Sequence, residues 1–263
     1  MEHVSLSLRD INVLEKMKDP ESDPSLAVQI DPTLPKDPHI SDQEIYQALS
    51  QQERDIILSI SSLEVASVKQ ANPKTDVVEG YHKAISRFGQ LVHQYPEYAS
   101  VRNNRAQALR RLYGDSMLIA DAPRSPEALL HNVDETERLE ASRTALSDLD
   151  RAISLLTPTV PYSRLSPQVV KTLANAHTQR AAMYLRTSKL MVSHSISVDA
   201  SRPESKWTKL DFETNASRDF AMGGRYGNQT AKGLAVATNP TAKLCGQMVR
   251  EAMKREYGPD YAS

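Results

Sequence analysis

Residues 84–96 read AISRFGQLVHQYP, and within them Ala84, Phe88 and Leu91 are spaced by four and then three positions. This spacing of a small residue, a bulky apolar residue and a small or apolar residue recurs twice more along the chain. The two other triplets are Ala145, Leu149 and Ala152, and Ala216, Phe220 and Gly223. Since such offsets fall on one face of a helix, each triplet predicts a narrow seam where a neighbouring helix approaches closely.

The seam resembles the second helix of a tetratricopeptide repeat, in which an A-x3-F pattern is followed by proline. Pro96 occupies that place after the first seam. Ala106 lies in the next helix, and the number of residues that separates it from Ala84 agrees with a repeat of about 34 residues. We therefore predict an all-α tetratricopeptide-repeat superhelix of three helix pairs, with capping helices at its N- and C-terminal ends.

Helix-start signals divide the chain into a linker and a repeat domain. The predicted helix starts are Ser41 with Glu44 as a capping box, Ser166 before Pro167, and Asn239 before Pro240. The predicted boundaries are an N-terminal segment with a proline-rich linker at 1–40 and a repeat domain at 41–258, in which repeat 1 spans about 50–96, repeat 2 about 97–158, repeat 3 about 166–227 and a C-terminal capping helix 239–257.

Two of the three repeats are longer than the pattern requires. The extra residues, 116–142 and 190–206, fall between the two helices of a repeat. Because insertions in repeat proteins map to one face of the stack, we expect these two inserts to lie side by side.

Both ends of the chain leave alternatives open. Residues 19–38 contain four Asp-Pro steps, and each proline pushes its predecessor out of helical geometry. This arm is either a disordered tail or a strap lying on the repeats. The last helix carries an apolar stripe that includes Leu244, Cys245 and Met248. It is expected to cap the stack, with a partner-binding amphipathic helix as the alternative.

Composition narrows the classes of function. Aromatic residues make up only 5% of the 263 residues and glycines number nine, which disfavours barrels and sandwiches. Lys plus Arg total 32 against 33 acidic residues, so no net field favours nucleic acid or an anionic membrane. Residues 1–18 lack the apolar region of a secretory signal peptide. Cys245 is the single cysteine, so no disulfide can form within the chain. We expect a cytoplasmic protein, with the nucleus as the alternative location.

A combination of segments carries a more specific resemblance. They are Arg87–Gln90, Tyr98–Gly114 with its Asn-Asn-Arg-Ala-Gln-Ala core, Ala145–Leu155, and the ending Asn239–Cys245. Together they resemble the tetratricopeptide repeat protein 36 family over most of residues 10–257, and the two inserts depart from that family. The resemblance implies three repeats, no catalytic activity and an association with Hsp70-type chaperones.

The concave face of such repeats is the predicted binding site, and its partner is another protein bound through an extended peptide. The candidate residues are Asn103, Asn104, Gln107, Arg110, Arg111, Asn175 and Thr178. Amide and guanidinium groups can hydrogen-bond a peptide backbone or a carboxylate. The alternative is a solvated helix face that binds nothing.

Chaperone-tail binders of this repeat class use a clamp of two lysines, two asparagines and one arginine around the terminal carboxylate. Only Asn104 matches that clamp here. The other clamp places fall on Glu64, Val68, Asn175 and Gln179, of which none is cationic. We therefore expect an acidic chaperone tail to bind weakly.

A second class of function is a small-anion-binding or enzymatic protein centred on Arg102, Arg110 and Arg111. An open trough near Arg110 favours a peptide, whereas a closed pocket of convergent charge favours a small ligand. No cofactor or metal is predicted, since the seven histidines are dispersed. His177 is expected in the core, and Trp207 is expected to pack on the nearby helix rather than to anchor a partner.

Overall fold

The computed structural model describes residues 28–67, 74–123, 128–131, 133–160 and 163–257. Within them the chain is all α-helical apart from loops, one 3-10 helix and two isolated β-bridges. The α-helices are α1 (Gln43–Ser67), α2 (Lys74–Gln94), α3 (Ala99–Tyr113), α4 (Glu135–Leu156), α5 (Pro167–Leu190), α6 (Lys209–Arg225), α7 (Gln229–Thr238) and α8 (Pro240–Tyr257); the 3-10 helix is Pro203–Lys206. The all-α prediction is confirmed. None of the helices in these ranges is long and apolar enough to cross a membrane.

Consecutive helices pack against each other along the whole order from α1 to α8, and α3 also contacts α5. The seam positions lie in the packed interior. Ala84, Phe88, Leu91, Ala145, Leu149, Ala152, Ala216, Phe220 and Gly223 are all buried. Small side chains at helix contacts therefore place successive helices close together, as the spacing predicts.

Two hydrophobic clusters make up most of the core. The N-terminal cluster joins α1, α2 and α3 around Leu49, Phe88 and Leu112. The central cluster joins α3 to α6 around Leu149 and Phe212. Since α3 contributes to both clusters, it is the element that connects the two halves of the molecule.

Local sequence signals fix most of the helix ends. The Ser166 hydroxyl accepts from the Val169 amide at 3.4 Å, and the Asn239 side chain accepts from the Thr241 amide at 2.9 Å, so both predicted N-caps are confirmed. The predicted Ser41 capping box is wrong, because Asp42 accepts from the amides of Glu44 and Ile45 instead. A carboxylate one residue nearer the helix satisfies the free amides of the first turn.

The described part of the N-terminal arm, residues 28–40, lies along the turn between α4 and α5. The Asp31 amide donates to the Leu165 carbonyl and the Leu165 amide donates to the Gln29 carbonyl, each at 2.9 Å. These bonds support the strap alternative for this part of the arm. The first two Asp-Pro steps fall outside the described residues.

The two inserts touch through their backbones. The Ala120 amide donates to the Ser195 carbonyl at 2.9 Å, and the Ser197 amide donates to the Leu118 carbonyl at 2.8 Å. An antiparallel bridge results, and the prediction that the inserts lie side by side is confirmed.

The C-terminal cap differs from the prediction. The covering helix is α7, which was not predicted and buries Ala231 against Ala181 and Phe220. Helix α8 exposes more than half of Leu244, Met248 and Val249, and Cys245 is exposed as well. The prediction of 239–257 as the cap therefore placed the covering helix one element too late, because an apolar stripe does not by itself show that something covers it.

Candidate functional site

A trough follows α3 on the side that faces α1. Its first part is a cavity of about 300 Å³ between α1, α2 and α3, lined by Ile57, Ile60, Ser61, Glu64, Tyr81, Phe88, Asn104, Gln107, Ala108 and Arg111. Its second part, about 320 Å³, is lined by Gln107, Arg110, Arg111, Gly114 and Asp115. The two parts share Gln107 and Arg111, so they form one elongated surface, which we call the α1–α3 groove.

The floor of the groove is apolar and its rim is polar. Ile60, Phe88 and Ala108 are buried beneath it, while Ile57 remains 41% exposed at its edge. Gln107 is exposed above this floor. An apolar floor with amide groups beside it suits an extended peptide, whose side chains alternate with backbone polar groups.

A buried carboxylate holds one of the predicted binding residues in place. The Asn104 Nδ2 donates to Glu53 Oε1 at 2.7 Å, and the Tyr98 and Ser100 hydroxyls donate to Glu53 Oε2 at 2.8 and 3.1 Å. All three donors are neutral. Burial raises the pKa of Glu53 above its ordinary value despite these hydrogen bonds. The Asn104 amide is thus fixed before any ligand arrives; its oxygen accepts from Asn103 Nδ2 at 3.4 Å and has a second lone pair for a ligand.

The arginines of the groove are paired with carboxylates. Arg110 makes a bidentate ion pair with Asp115, in which Nε donates to Oδ1 at 2.6 Å and Nη2 donates to Oδ2 at 3.0 Å. Arg111 Nε donates to Glu64 Oε1 at 3.2 Å. Glu64 also accepts from the Tyr81 hydroxyl, and burial together with this carboxylate raises the pKa of Tyr81 to about 12. Each cation that lines the described groove is thus balanced by its own carboxylate, and no further cation lines it, which opposes the recognition of a free anion here.

The third arginine of the small-anion alternative is used inside the fold. Arg102 and Arg105 both bind Asp148, which is 1% exposed, at 3.0 and 2.6 Å. Together with the open groove beside Arg110, this pairing favours a peptide over a small charged ligand at the concave face.

The structure brings together Asn104, Gln107, Arg110 and Arg111 but not the other three candidates. Asn103 is 3% exposed, and its side-chain oxygen accepts from Gln179 Nε2 at 2.8 Å. It therefore links α3 to α5 and does not reach the groove.

The two candidates on α5 do not line either part of the groove. The Thr178 hydroxyl donates to the Ala174 carbonyl at 2.6 Å and accepts from Asn228 Nδ2 at 3.1 Å. Asn228 is the N-cap of α7, the helix that was not predicted, so it covers a face that would otherwise be open. Asn175 is half-buried on α5. A binding role for these residues stays a prediction.

Several groove residues were missed by the sequence analysis, among them Ile57, Tyr81 and Phe88. The missing signal is the register of α1 against α3, which single-helix periodicity does not contain. The clamp position predicted at Val68 lies outside the described residues. Elsewhere, His177 is 5% exposed, and the Trp207 ring packs on Phe212 at 5.2 Å, so the expectations of a core histidine and a packed tryptophan are confirmed.

Sequence comparisons with known proteins identify relatives of the chain. The chain is 38% identical over 258 residues to L-tyrosine degradation gene cluster protein hmgX of Aspergillus fumigatus, an alignment that covers 96% of this chain and 93% of that protein. The chain therefore belongs to the same family as this fungal protein, which is related to tetratricopeptide repeat protein 36.

The chain is also similar to tetratricopeptide repeat protein 36 itself. It is 28% identical to the Bos taurus protein over 170 residues, 65% of this chain and 58% of that protein. It is 27% identical to the Mus musculus protein over 178 residues, 68% of this chain and 63% of that protein. The chain thus spans about three-fifths of the length of these two relatives, and the predicted family resemblance is confirmed. No protein-family model and no solved structure matches the chain.

Proposed function

We propose that this chain is a non-catalytic tetratricopeptide-repeat scaffold that binds an extended segment of another protein in the α1–α3 groove. The three repeats are the helix pairs α1–α2, α3–α4 and α5–α6, and α7 covers the open side of the last pair. The contact between α3 and α5 supports this assignment, because the first helices of successive repeats are neighbours in such a stack.

The observation that carries the proposal is the chemistry of the groove. Apolar side chains form its floor, uncharged amides of Asn104 and Gln107 lie beside them, and the arginines are balanced by Glu64 and Asp115. An open groove with balanced charges matches a peptide backbone with one or two apolar anchors better than it matches a charged metabolite.

We propose further that the partner is an enzyme of L-tyrosine degradation. The support is the name of the Aspergillus fumigatus relative, which assigns that protein to an L-tyrosine degradation gene cluster, and an alignment that covers nearly all of both chains. A scaffold encoded beside metabolic enzymes would act by holding or stabilising one of them.

The test measures binding of the purified chain to each purified enzyme of L-tyrosine degradation from the same organism by titration calorimetry. Ile57→Glu places a charge on the groove edge and should weaken binding at least about tenfold, as expected for an anchor position. Val192→Glu is the matched control, since Val192 is 73% exposed and lies outside the groove.

Two outcomes would contradict the proposal. Binding to none of these enzymes would refute the partner class. Binding that is weakened equally by both variants would refute the groove as the site.

An Hsp70-type chaperone is the partner that the family resemblance implies, and the groove bears on how it could bind. Glu64, which lines the groove, stands at the position predicted for a clamp lysine. We therefore expect a free acidic chaperone tail to bind weakly and to be released by added salt through screening. Tight, salt-resistant binding of such a peptide in calorimetry would restore the co-chaperone clamp.

A further inference from the structure

A second cavity, distinct from the groove, lies between α5, α6 and the second insert. It has a volume of about 520 Å³ and is open to solvent. Its wall combines charged side chains from α4, α5, α6 and the insert with the ring of Trp207. No contact of the proposed peptide groove involves this cavity, so its chemistry needs a separate explanation.

Every carboxylate oxygen in the wall already accepts a hydrogen bond from the protein. Asp150 accepts from Arg180 at 2.7 Å and from Arg202 at 2.6 Å, one on each oxygen. Glu204 accepts from Arg202 on both oxygens, at 2.8 and 3.0 Å. Asp219 accepts from Arg180 on both oxygens, each at 2.7 Å. A ligand that enters the cavity therefore finds its acceptors occupied.

Guanidinium donors, by contrast, are left over. Within the described residues, the Nη1 group of Arg202 makes no hydrogen bond, because its contacts use Nε and Nη2. Arg218 lines the same cavity, is exposed, and has no hydrogen-bond or ion-pair partner among the described residues. A surplus of charged donors over free acceptors is the arrangement that binds an anion.

The donors near the insert are also held rigid. The side chains of Arg180 and Arg202 are only 20% and 15% exposed, and each binds a different oxygen of Asp150. Glu204, 2% exposed, fixes Arg202 and in turn accepts from the Tyr184 hydroxyl at 2.7 Å. Preorganised donors lose little conformational entropy on binding, so they favour a ligand more than mobile surface arginines do.

The aromatic part of the wall limits the kind of anion. The Trp207 ring makes edge contacts with Tyr184 at 5.1 Å and with Phe212 at 5.2 Å, and Trp207 is half-buried in the wall of the cavity. A fixed indole ring with an open side offers a surface on which a second ring can stack.

We propose that this cavity binds a small organic anion in which a carboxylate or a phosphate is attached close to an aromatic ring. The anionic group lies between Arg202 Nη1 and Arg218, and the ring lies against Trp207. The second insert thereby has a role of its own, because it supplies Arg202 and leads directly into Trp207, at a site that the helix pairs alone would lack.

The chain offers a direct readout, since Trp207 is its only tryptophan. The experiment titrates the full chain with phenyl phosphate, with phenylacetate, and with neutral benzyl alcohol while the tryptophan fluorescence is recorded. We expect a saturable change with at least one of the two anions and none with the alcohol. The two anions distinguish phosphate from carboxylate recognition.

A pair of variants on α6 makes the test specific. Arg218→Gln should weaken binding of the anion at least about tenfold, as expected for a lost charged hydrogen bond. Arg225→Gln removes the same charge from an exposed position of the same helix outside the cavity and should change the affinity less than about twofold. Thermal unfolding confirms that both variants fold.

The proposal is overturned if neither anion gives a saturable signal at millimolar concentration, or if benzyl alcohol binds as well as the anions. It is overturned equally if Arg225→Gln weakens binding as much as Arg218→Gln, because the anion would then respond only to general surface charge.

Discussion

Glu53 beneath the groove and Asp219 beside the second cavity are both buried carboxylates, yet their surroundings differ. Glu53 accepts only from neutral donors, and burial raises its pKa. For Asp219, burial alone would also raise the pKa, but hydrogen bonds from Arg180 and His177 outweigh it and hold the pKa below its ordinary value. The comparison shows that the buried carboxylate beneath the groove is held by neutral hydrogen bonds, whereas the one beside the second cavity is held by ionic contacts.

This difference matches the two ligands proposed. A neutral network beneath an apolar groove suits a peptide, whose backbone carries no charge. A network of fixed ion pairs with surplus guanidinium donors suits an anion. One all-α chain can therefore hold two sites of different chemistry, one beside each of the two clusters of its core.

The largest expected effect comes from removing the carboxylate of the C-terminal half. Asp219→Ala leaves Arg180 and His177 without their shared acceptor. Loss of one partner of a buried ion pair should lower the free energy of unfolding by about 3–5 kcal/mol. Urea unfolding measures this change, and Asp55→Ala on the exposed face of α1 is the control. A loss below about 1 kcal/mol, the range of exposed ion pairs, would show that the network contributes little.

Substitution of a bulky residue at a seam should lower stability by a similar amount in both halves, because packing and not charge determines the effect. Ala84→Phe and Ala145→Phe force a large ring into helix contacts where the native side chains are 2% and 0% exposed. Overpacking should lower the free energy of unfolding by about 1–3 kcal/mol in each case, with a lower melting temperature. Ala242→Phe, on the exposed surface of α8, should leave the midpoint unchanged. An unchanged midpoint for Ala145→Phe would contradict the repeat packing.

The smallest expected effect is the opposite pH dependence of the two carboxylates. Because the folded pKa of Glu53 is raised, its proton stabilises the folded state below that pKa, and stability falls as the pH rises from the unfolded value of 4.5. The folded pKa of Asp219 is lowered, so its contribution is present above the unfolded value of 3.8 and is lost as the pH falls through the folded pKa.

Conservative variants isolate these two contributions. Glu53→Gln should remove the decline of stability above about pH 4.5, and Asp219→Asn should remove the decline at acid pH. Urea unfolding across this pH range gives the difference from the native chain for each variant. The two difference curves should have slopes of opposite sign, and slopes of the same sign would refute the contrast.

Local signals in the sequence account for much of the fold. Helix starts at Ser166 and Asn239 depend on side chains within three residues of the cap, and the seams depend on offsets of three and four. Helix α7 was missed because its packing depends on a distant contact, from Asn228 to Thr178, and on one buried alanine, Ala231. No periodic apolar stripe marks such a short helix.

The candidate site was only half predictable for the same physical reason. Asn104, Gln107 and Arg111 share one face of α3, and their periodicity is visible in the sequence. Their partners Glu53 and Glu64 lie on α1, and the register between two helices is set by packing that one helix does not encode. The second cavity was missed altogether, since Asp150 and Arg202 are far apart in the chain and meet only through the second insert.

Site-specific photo-crosslinking tests the central claim most directly. A benzophenone amino acid replaces Ile57 or Gln107 in the groove, or Val192 or Val236 outside it, the latter two being 73% and 69% exposed. Each protein is illuminated with the enzyme that binds it, and the joined peptides are read by mass spectrometry. We predict that Ile57 and Gln107 join to one contiguous segment of the partner and that the two control positions do not. Crosslinks from Val192 or Val236 with none from the groove would contradict the account.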